Sequence, residues 1–185
     1  HLSALGVDKA IDSNYAKSKL EGEKKILKNF PLSTILRPSV VYSIDDNFTT
    51  NFMTLLNRLP IFPLYYNGQT RFMPIFSGDL ANIIYNIVSK KIDAQIIECV
   101  GTETITLKEI IEKLLKLIGK KRLLVPLPML LGKLSAQFFQ LFPKPLLTQD
   151  QLRLLKYDNV VSGKYKTNND LGLPAKCLFE KEVEK

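Results

Sequence analysis

The chain has 185 residues, of which 45% are hydrophobic and 24% charged, a balance typical of a folded globular protein and not of a disordered one. The formal net charge is +8, but the lysines are spread along the chain and do not cluster with aromatic residues, so nucleic-acid binding is not predicted. Two distant cysteines and one histidine are too few for the usual zinc sites, and such sparse cysteines favour a reducing cytoplasm. No charge-free apolar stretch is long enough to predict a membrane-spanning helix.

The first part of the chain predicts a strand, a helix and a second strand. Residues 1–6 are typical of the end of a buried strand and a following loop, and a periodic apolar stripe predicts a helix over residues 14–29. Pro31 ends this helix, and the apolar run that follows predicts a buried parallel strand up to Pro38. Because these elements alternate, the sequence predicts an α/β protein containing part of a doubly wound, Rossmann-type parallel sheet.

The middle of the chain continues this alternation. The Asn-Gly-Gln sequence at 67–69 predicts a tight hairpin turn, and Ser77 is expected to cap the helix that follows it. Thr106 and Glu109 have the spacing of a capping box at the start of a further amphipathic helix. The predicted elements are helices over residues 46–57, 77–89 and 106–119, and strands over residues 72–76 and 95–101.

Residues 123–147 differ from the rest of the chain because they place a strongly apolar predicted helix between prolines. Burial in the core, cover over a substrate cleft, and contact with a membrane surface or a partner subunit would each explain such a segment. A further capped helix is predicted within residues 148–161.

Tyr15 and Lys19 lie four residues apart on the first predicted helix, a spacing that puts both side chains on one face. A tyrosine hydroxyl is a poor base at neutral pH, but a nearby cation favours the phenolate and lowers its pKa. Ser3, at the end of the preceding strand, could hold a substrate carbonyl or alcohol oxygen in line with Tyr15. Such a trio can move a proton while a nicotinamide carbon moves a hydride, although Tyr-x-x-x-Lys alone also occurs by chance on solvated helix faces.

The ordered motifs HLSALG, SNYAKSKLEGE, STILRPSVVY and FSGDLA resemble those of the extended and atypical short-chain dehydrogenase/reductases, the NAD-dependent epimerase/dehydratase superfamily. The stretches GEKKIL, LPLPMLLGKL and PKPLLTQDQLRLLKYDNVV resemble one branch, the family of the nucleotide-binding accessory subunit of respiratory complex I and its bacterial homologues. The resemblance covers nearly the whole chain. It departs at Ser43, where the superfamily often has glycine, and in the absence of the glycine-rich turn that holds the pyrophosphate.

The resemblance implies a role for each member of the catalytic trio. Ser3 would orient the substrate, Tyr15 would be the general acid/base, and Lys19 would hydrogen-bond the nicotinamide ribose and lower the pKa of Tyr15. Asp79 matches a position that supports the junction between the nucleotide domain and the small lobe, so it is expected to be structural. The backbone that would border the nicotinamide ring is that of Pro38, Ser39 and Val40.

The resemblance also implies a division of the chain. Residues 1–100 would be the remnant of an NAD(P)-binding Rossmann-type domain with interleaved lobe segments, and residues 101–185 a mostly helical substrate or partner lobe. Because the first strands of the superfamily are not in this sequence, the chain is expected to be a fragment that is inactive alone. The implied cofactor is NAD or NADP, with NADP the preferred of the two, and no metal site is expected.

Two functions remain open at this point. In the first, the full-length protein is an NAD(P)-dependent oxidoreductase or epimerase acting on an unknown small molecule. In the second, it is a non-catalytic dinucleotide-binding accessory or assembly subunit of respiratory complex I. Residues 123–147 would then dock on complex I subunits or on the inner-membrane surface, which implies a cytoplasmic protein bound peripherally to that membrane.

Overall fold

The computed structural model describes residues 1–43, 45–92, 95–127 and 148–179. Within these residues the helices are α1 (Asn14–Asn29), α2 (Asn47–Arg58), α3 (Ser77–Ser89), α4 (Leu107–Leu117) and α5 (Gln149–Leu154). The strands are β1 (Ile35–Pro38), β2 (Val41–Tyr42), β3 (Ile61–Tyr65), β4 (Arg71–Phe72), β5 (Ile75–Phe76), β6 (Ile96–Cys99), β7 (Ile105–Thr106), β8 (Leu123–Leu127) and β9 (Lys166–Thr167).

The main sheet is parallel and has the strand order β1-β6-β9. All four residues of β1 are buried, as the apolar run before Pro38 predicts. The first residues of the chain lie along the other side of β1, where Leu2 bridges to Leu36 in parallel and the Leu5 N–H donates to the Pro38 carbonyl at 2.8 Å. The predicted α/β fold with a Rossmann-type parallel sheet is confirmed.

Helix α1 has the predicted bounds. Ser13 caps it, because its hydroxyl accepts a hydrogen bond from the Ala16 N–H at 3.2 Å, and Pro31 follows its last turn. Helix α3 packs on the sheet through buried aliphatic side chains spaced as one helical stripe. These side chains are those of Leu80, Ile83 and Ile87.

A second core forms the small lobe and joins α2, α4 and the short strands around them. Strands β3 and β8 pair in parallel, and β4 pairs with β7 in antiparallel orientation. The predicted capping box of α4 is present, with the Thr106 N–H donating to Glu109 Oε2 at 2.6 Å and the Glu109 N–H donating to Thr106 Oγ1 at 3.2 Å. The largest fully buried side chains of this core include Tyr42, Leu56, Leu107, Ile110, Ile111 and Leu114.

The hairpin predicted around residues 67–69 is wrong. A tight turn is present, with positive φ at Tyr66, Asn67 and Gly68, but its flanking strands pair with different partners. Consecutive left-handed residues redirect the chain, so that β3 joins β8 and β4 joins β7. The strand predicted over residues 72–76 is divided into β4 and β5 around Pro74, which has no N–H to give to a ladder.

The cap predicted at Ser77 is also wrong. Phe76 occupies the N-cap position without a side-chain hydrogen bond, and Ser77 is the first helical residue. Asp79, in the first turn of α3, accepts hydrogen bonds from the backbone N–H groups of Lys176 and Cys177, both at 2.9 Å. Its carboxylate therefore holds the C-terminal segment against the helix.

Among the glycines that the structure describes, Gly101 has the least room for a side chain. Its N–H donates to the Met73 carbonyl at 3.1 Å, and a Cβ at this position would lie 1.8 Å from the Pro74 carbonyl oxygen. Glycine is therefore the residue that lets the turn after β6 pass over the segment between β4 and β5.

Of the apolar segment at residues 123–147, the structure describes the first five residues, which form β8. The rest of the segment lies outside the described residues. The predicted role of that segment therefore stays a prediction. No helix among the described residues is both long and apolar enough to cross a membrane. The predicted division at residue 100 also stays a prediction; strand β9, at 166–167, lies in the main sheet beside β6.

Candidate active site

The N-terminus of α1 is bound by a carboxylate from a distant helix. Asp150, in α5, accepts hydrogen bonds from the Ser13 hydroxyl at 2.9 Å, the Asn14 N–H at 2.8 Å and the Tyr15 N–H at 2.9 Å. Partial burial acts to raise the pKa of Asp150, but these hydrogen bonds together outweigh it, so the pKa lies below its ordinary value. The first turn of α1 is thus held by residues from two parts of the sequence.

Tyr15 and Lys19 lie one turn apart on α1, with the Lys19 Nζ 5.9 Å from the centroid of the Tyr15 ring. The Tyr15 side chain is 45% exposed. The Lys19 ammonium also donates to the Leu2 carbonyl at 3.4 Å, on the residue that precedes Ser3. The helix face that carries Tyr15 and Lys19 therefore adjoins the segment that carries Ser3.

The pKa of Tyr15 lies above its ordinary value because burial disfavours the phenolate. This direction is opposite to the lowering expected from Lys19. The tyrosine is therefore protonated at neutral pH, which makes its hydroxyl a proton donor.

Ser3 is 4% exposed, and within the described part of the chain its hydroxyl is a buried polar group without a hydrogen-bond partner. Its backbone N–H is satisfied by the Leu36 carbonyl at 2.8 Å, so the strand fixes the residue while the side chain stays free. An unpartnered buried hydroxyl costs about 1–3 kcal/mol. The Ser3 hydroxyl is therefore available to a water molecule or to a ligand.

The segment of Pro38, Ser39 and Val40 is organised by Asn159, a residue that the sequence analysis did not identify. The Ser39 hydroxyl donates to Asn159 Oδ1 at 2.6 Å, and the Val40 N–H donates to the same oxygen at 3.2 Å. The Asn159 amide donates in turn to the Leu5 carbonyl at 2.9 Å, across 154 residues of sequence. No local pattern marks such a residue, because all of these partners are distant in the chain.

A buried ion pair fixes α1 to the sheet. Arg37, in β1, donates to both carboxylate oxygens of Glu23, in α1, at 2.8 and 2.7 Å, and both residues are 3% exposed. Burial acts to lower the pKa of Arg37, but the hydrogen bonds and charge of Glu23 outweigh it and the pKa is raised. The helix that carries Tyr15 and Lys19 is therefore attached to β1 by a charged contact that excludes water.

A second ion pair lies beside Asn159. Asp158 accepts from the Arg71 N–H at 2.9 Å and from the Arg71 guanidinium at 3.0 and 2.7 Å. Partial burial acts to raise the pKa of Asp158, but the hydrogen bonds from Arg71 outweigh it and the pKa is lowered.

This pair predicts a pH dependence of stability. A carboxylate whose pKa is lowered on folding stabilises the fold above its ordinary pKa of about 4, and that contribution is lost as the pH falls through the lower folded value. We expect Asp158→Asn to lower Tm by a few degrees near pH 7, with the difference from wild type shrinking below about pH 4. Thermal melts from pH 7 to pH 3 would measure it, and Arg71→Met should give the same profile. A Tm difference that is constant over this range would contradict the pairing.

The described residues fit one end of a dinucleotide better than the other. An unpartnered hydroxyl, a half-exposed tyrosine and a lysine suit the nicotinamide and its ribose, whereas a pyrophosphate needs free N–H groups at a helix N-terminus. The N-termini of α1, α2, α4 and α5 already bind carboxylate or hydroxyl groups of the chain. That of α3 has no side-chain cap, but its first turn carries the negative charge of Asp79, which disfavours a phosphate. No group of histidine, cysteine, aspartate and glutamate suited to a metal ion occurs among the residues that the structure describes.

Residues 11–143 match the RmlD substrate binding domain. The chain belongs to this family. One curated relative of this RmlD-type chain is NADH dehydrogenase (ubiquinone) 1 alpha subcomplex subunit 9 of Mus musculus. The two sequences are 26% identical over 188 residues, an alignment that covers 100% of the chain and 49% of that protein. The protein of the same name from Arabidopsis thaliana is 26% identical over 185 residues, covering 93% of the chain and 46% of that protein. The chain thus spans about half the length of these relatives.

Solved structures with a similar fold include DesIV, a dTDP-glucose 4,6-dehydratase from Streptomyces venezuelae with NAD and TYD bound. It superposes with a TM-score of 0.63 at 16% identity, over 100% of this chain and 56% of that one. UDP-glucuronic acid 4-epimerase from Bacillus cereus, in complex with UDP-glucuronic acid and NAD, gives a TM-score of 0.58 at 18% identity, over 92% of this chain and 50% of that one. The predicted membership of the epimerase/dehydratase superfamily is confirmed.

Proposed function

We propose that the full-length protein binds a nicotinamide dinucleotide and transfers a proton to or from a small substrate during hydride transfer. Ser3, Tyr15 and Lys19 are the residues that would act on the reacting groups. The observation that carries this proposal is the unpartnered buried hydroxyl of Ser3, beside a helix face that presents Tyr15 and Lys19. A hydroxyl that the described residues leave without a partner is available to bind a substrate oxygen.

Each residue would have one role when the substrate is a carbonyl compound. The Ser3 hydroxyl donates a hydrogen bond to the carbonyl oxygen, and Tyr15, protonated at neutral pH, gives its proton to the same oxygen. Lys19 holds the ribose hydroxyls and places a positive charge beside the tyrosinate that remains. A bound nicotinamide dinucleotide would supply a hydride for the carbonyl carbon.

The segment from Pro38 to Val40 suits an apolar contact with the nicotinamide ring. The Pro38 carbonyl, the Ser39 hydroxyl and the Val40 N–H are all hydrogen-bonded within the protein. Because Pro38 and Ser39 are buried, what this segment can offer a ligand is mainly the non-polar surface of Val40. NAD is the dinucleotide in the similar structures named above, and the sequence preference for NADP stays a prediction.

A second candidate function rests on the sequence relatives. These relatives are named as NADH dehydrogenase subunits and align with 93–100% of the chain. In this alternative the protein binds the dinucleotide without turnover and serves as an accessory or assembly subunit of respiratory complex I. It would then sit peripherally on the inner membrane, with its 123–147 segment as the docking surface.

Tyr15→Phe in the full-length protein tests the first function. We expect turnover to fall about 100-fold, because the variant loses the group that donates the proton. Binding of NADH or NADPH should change little, because Lys19 is retained. The measurement is oxidation of either cofactor, followed at 340 nm with a small-molecule extract of the source cells as substrate pool, and its products are identified by mass spectrometry.

The matched control is Tyr85→Phe, because Tyr85 lies on the exposed face of α3 and should not affect turnover. Turnover that survives Tyr15→Phe would exclude the first function. If wild-type protein binds NADH, turns nothing over, and its deletion lowers the amount of assembled complex I, the second function is favoured.

A further inference from the structure

The contact between Asp150 and the start of α1 joins two distant parts of the molecule. The carboxylate belongs to α5, and its three donors, at residues 13–15, are 135–137 residues away in the sequence. Leu154, one turn further along α5, packs on the small core formed by Val7, Ala10 and Ala16. Helix α5 thus holds the beginning of α1 at two points, one polar and one apolar.

Helix α1 does not need Asp150 in order to begin. Ser13 is fully buried and provides a local cap through its hydrogen bond from Ala16 N–H. Asp150 binds the two N–H groups that this cap leaves over, those of Asn14 and Tyr15. Removing the carboxylate should therefore loosen the first turn while the rest of the helix remains.

The first turn is the part of α1 whose position determines that of the tyrosine hydroxyl. Tyr15 is the second residue of the helix, and its own N–H donates to Asp150 Oδ2. Its ring is only half-buried, so packing alone does not fix it. Lys19 lies a full turn further along, beyond the residues that Asp150 binds.

We propose that Asp150 is a positioning residue that sets where the Tyr15 hydroxyl lies, and that it does so from the lobe helix α5. The proposal rests on the proton-transfer role of Tyr15 described above. The negative charge of Asp150 also suits the positive end of the α1 dipole. Arg153 Nη1 lies 3.6 Å from Asp150 Oδ1 and keeps the carboxylate oriented on the α5 side.

The test compares Asp150→Asn and Asp150→Ala with wild type in the full-length protein. Both variants remove the charge, but asparagine keeps one acceptor oxygen for the N–H groups of α1, whereas alanine keeps none. The readout is the pKa of Tyr15, from an NMR titration of protein labelled with ¹³C at tyrosine Cζ, with the resonance assigned by Tyr15→Phe. Asp46→Asn is the control, because Asp46 is a carboxylate at the N-terminus of a different helix, where it caps α2 by accepting from the Thr49 N–H at 2.6 Å.

We expect the pKa of Tyr15 to fall toward its ordinary value in both variants, because the ring becomes more exposed. The fall should be smaller in Asp150→Asn than in Asp150→Ala. Asp46→Asn should leave it unchanged. Equal shifts in the two Asp150 variants would indicate a charge effect alone and would overturn the proposal. No shift in either variant, or a shift in Asp46→Asn as well, would overturn it too.

A second readout separates this proposal from the proposed function. If the wild-type protein turns over a substrate, Asp150→Asn should lower kcat about 10-fold. The Kd for NADH should stay within about twofold of the wild-type value, because Lys19 is not displaced. A kcat for Asp150→Asn equal to that of wild type would overturn the positioning role. Turnover that survives Tyr15→Phe would instead exclude the proton-transfer role, and the NMR titration would still decide whether Asp150 positions Tyr15.

Discussion

Gly101→Ala is expected to prevent the chain from reaching its folded state. The added methyl group would lie 1.8 Å from the Pro74 carbonyl oxygen and 2.8 Å from its carbon, and both are backbone atoms that cannot move aside as a side-chain end can. The two segments would have to separate, which would also break the hydrogen bond from the Gly101 N–H to the Met73 carbonyl. We expect a loss of more than about 4 kcal/mol, in the range reserved for the most disruptive substitutions.

The soluble yield and a thermal melt followed by far-UV circular dichroism would measure this effect. Gly22→Ala is the matched control, because the same methyl group would there meet only the end of the His1 side chain, at 3.4 Å. Alanine is also the better helix former by about 1 kcal/mol, so Gly22→Ala should keep or raise Tm. A Gly101→Ala protein that melts within a few degrees of wild type would show that the two backbone segments are not in contact.

Breaking the ion pair between Arg37 and Glu23 from one side is expected to cost about 3–5 kcal/mol, because a buried charge would remain without its partner. Arg37→Met leaves the Glu23 carboxylate alone in an apolar setting. Glu23→Leu leaves the guanidinium with Asp8, at 3.5 Å, and with the Tyr165 ring, whose centroid is 4.9 Å from Arg37 Cζ. The double variant should lose less stability than either single variant, because it leaves no charge of the pair behind.

Urea denaturation of wild type, both single variants and the double variant forms the required cycle. Glu23→Gln serves as a milder control, since it keeps an oxygen that can accept from the guanidinium while removing the charge. Losses that simply add in the double variant would mean that the two side chains do not interact. Because the pair fixes α1 to β1, the single variants should also lower any turnover that depends on Tyr15.

Local sequence patterns were sufficient wherever a structural feature depends on neighbours along the chain. The bounds of α1 follow from its stripe and from Pro31, and the capping box of α4 follows from Thr106 and Glu109. The same holds for placing Tyr15 and Lys19 on one face. The superfamily was predicted from the order of several motifs along the chain, because no single local pattern identifies it.

Features that depend on distant partners could not be predicted in this way. Asn159 and Asp150 look like ordinary polar residues in the sequence, and only the fold brings them to partners more than 100 residues away. The hairpin at 67–69 failed for the same reason, because strand β3 found a better partner in β8 than in its neighbour. Tertiary packing in these places outweighs local turn preference.

The hydrogen bonds of Asn159 also constrain the order in which the protein can mature during synthesis. Leu5, Ser39 and Val40 leave the ribosome long before Asn159, yet their final arrangement requires its amide. Contacts of such long sequence separation slow folding, because a large loop must close before they form. The segments that carry Leu5, Ser39 and Val40 therefore cannot reach their final arrangement until residue 159 has been translated.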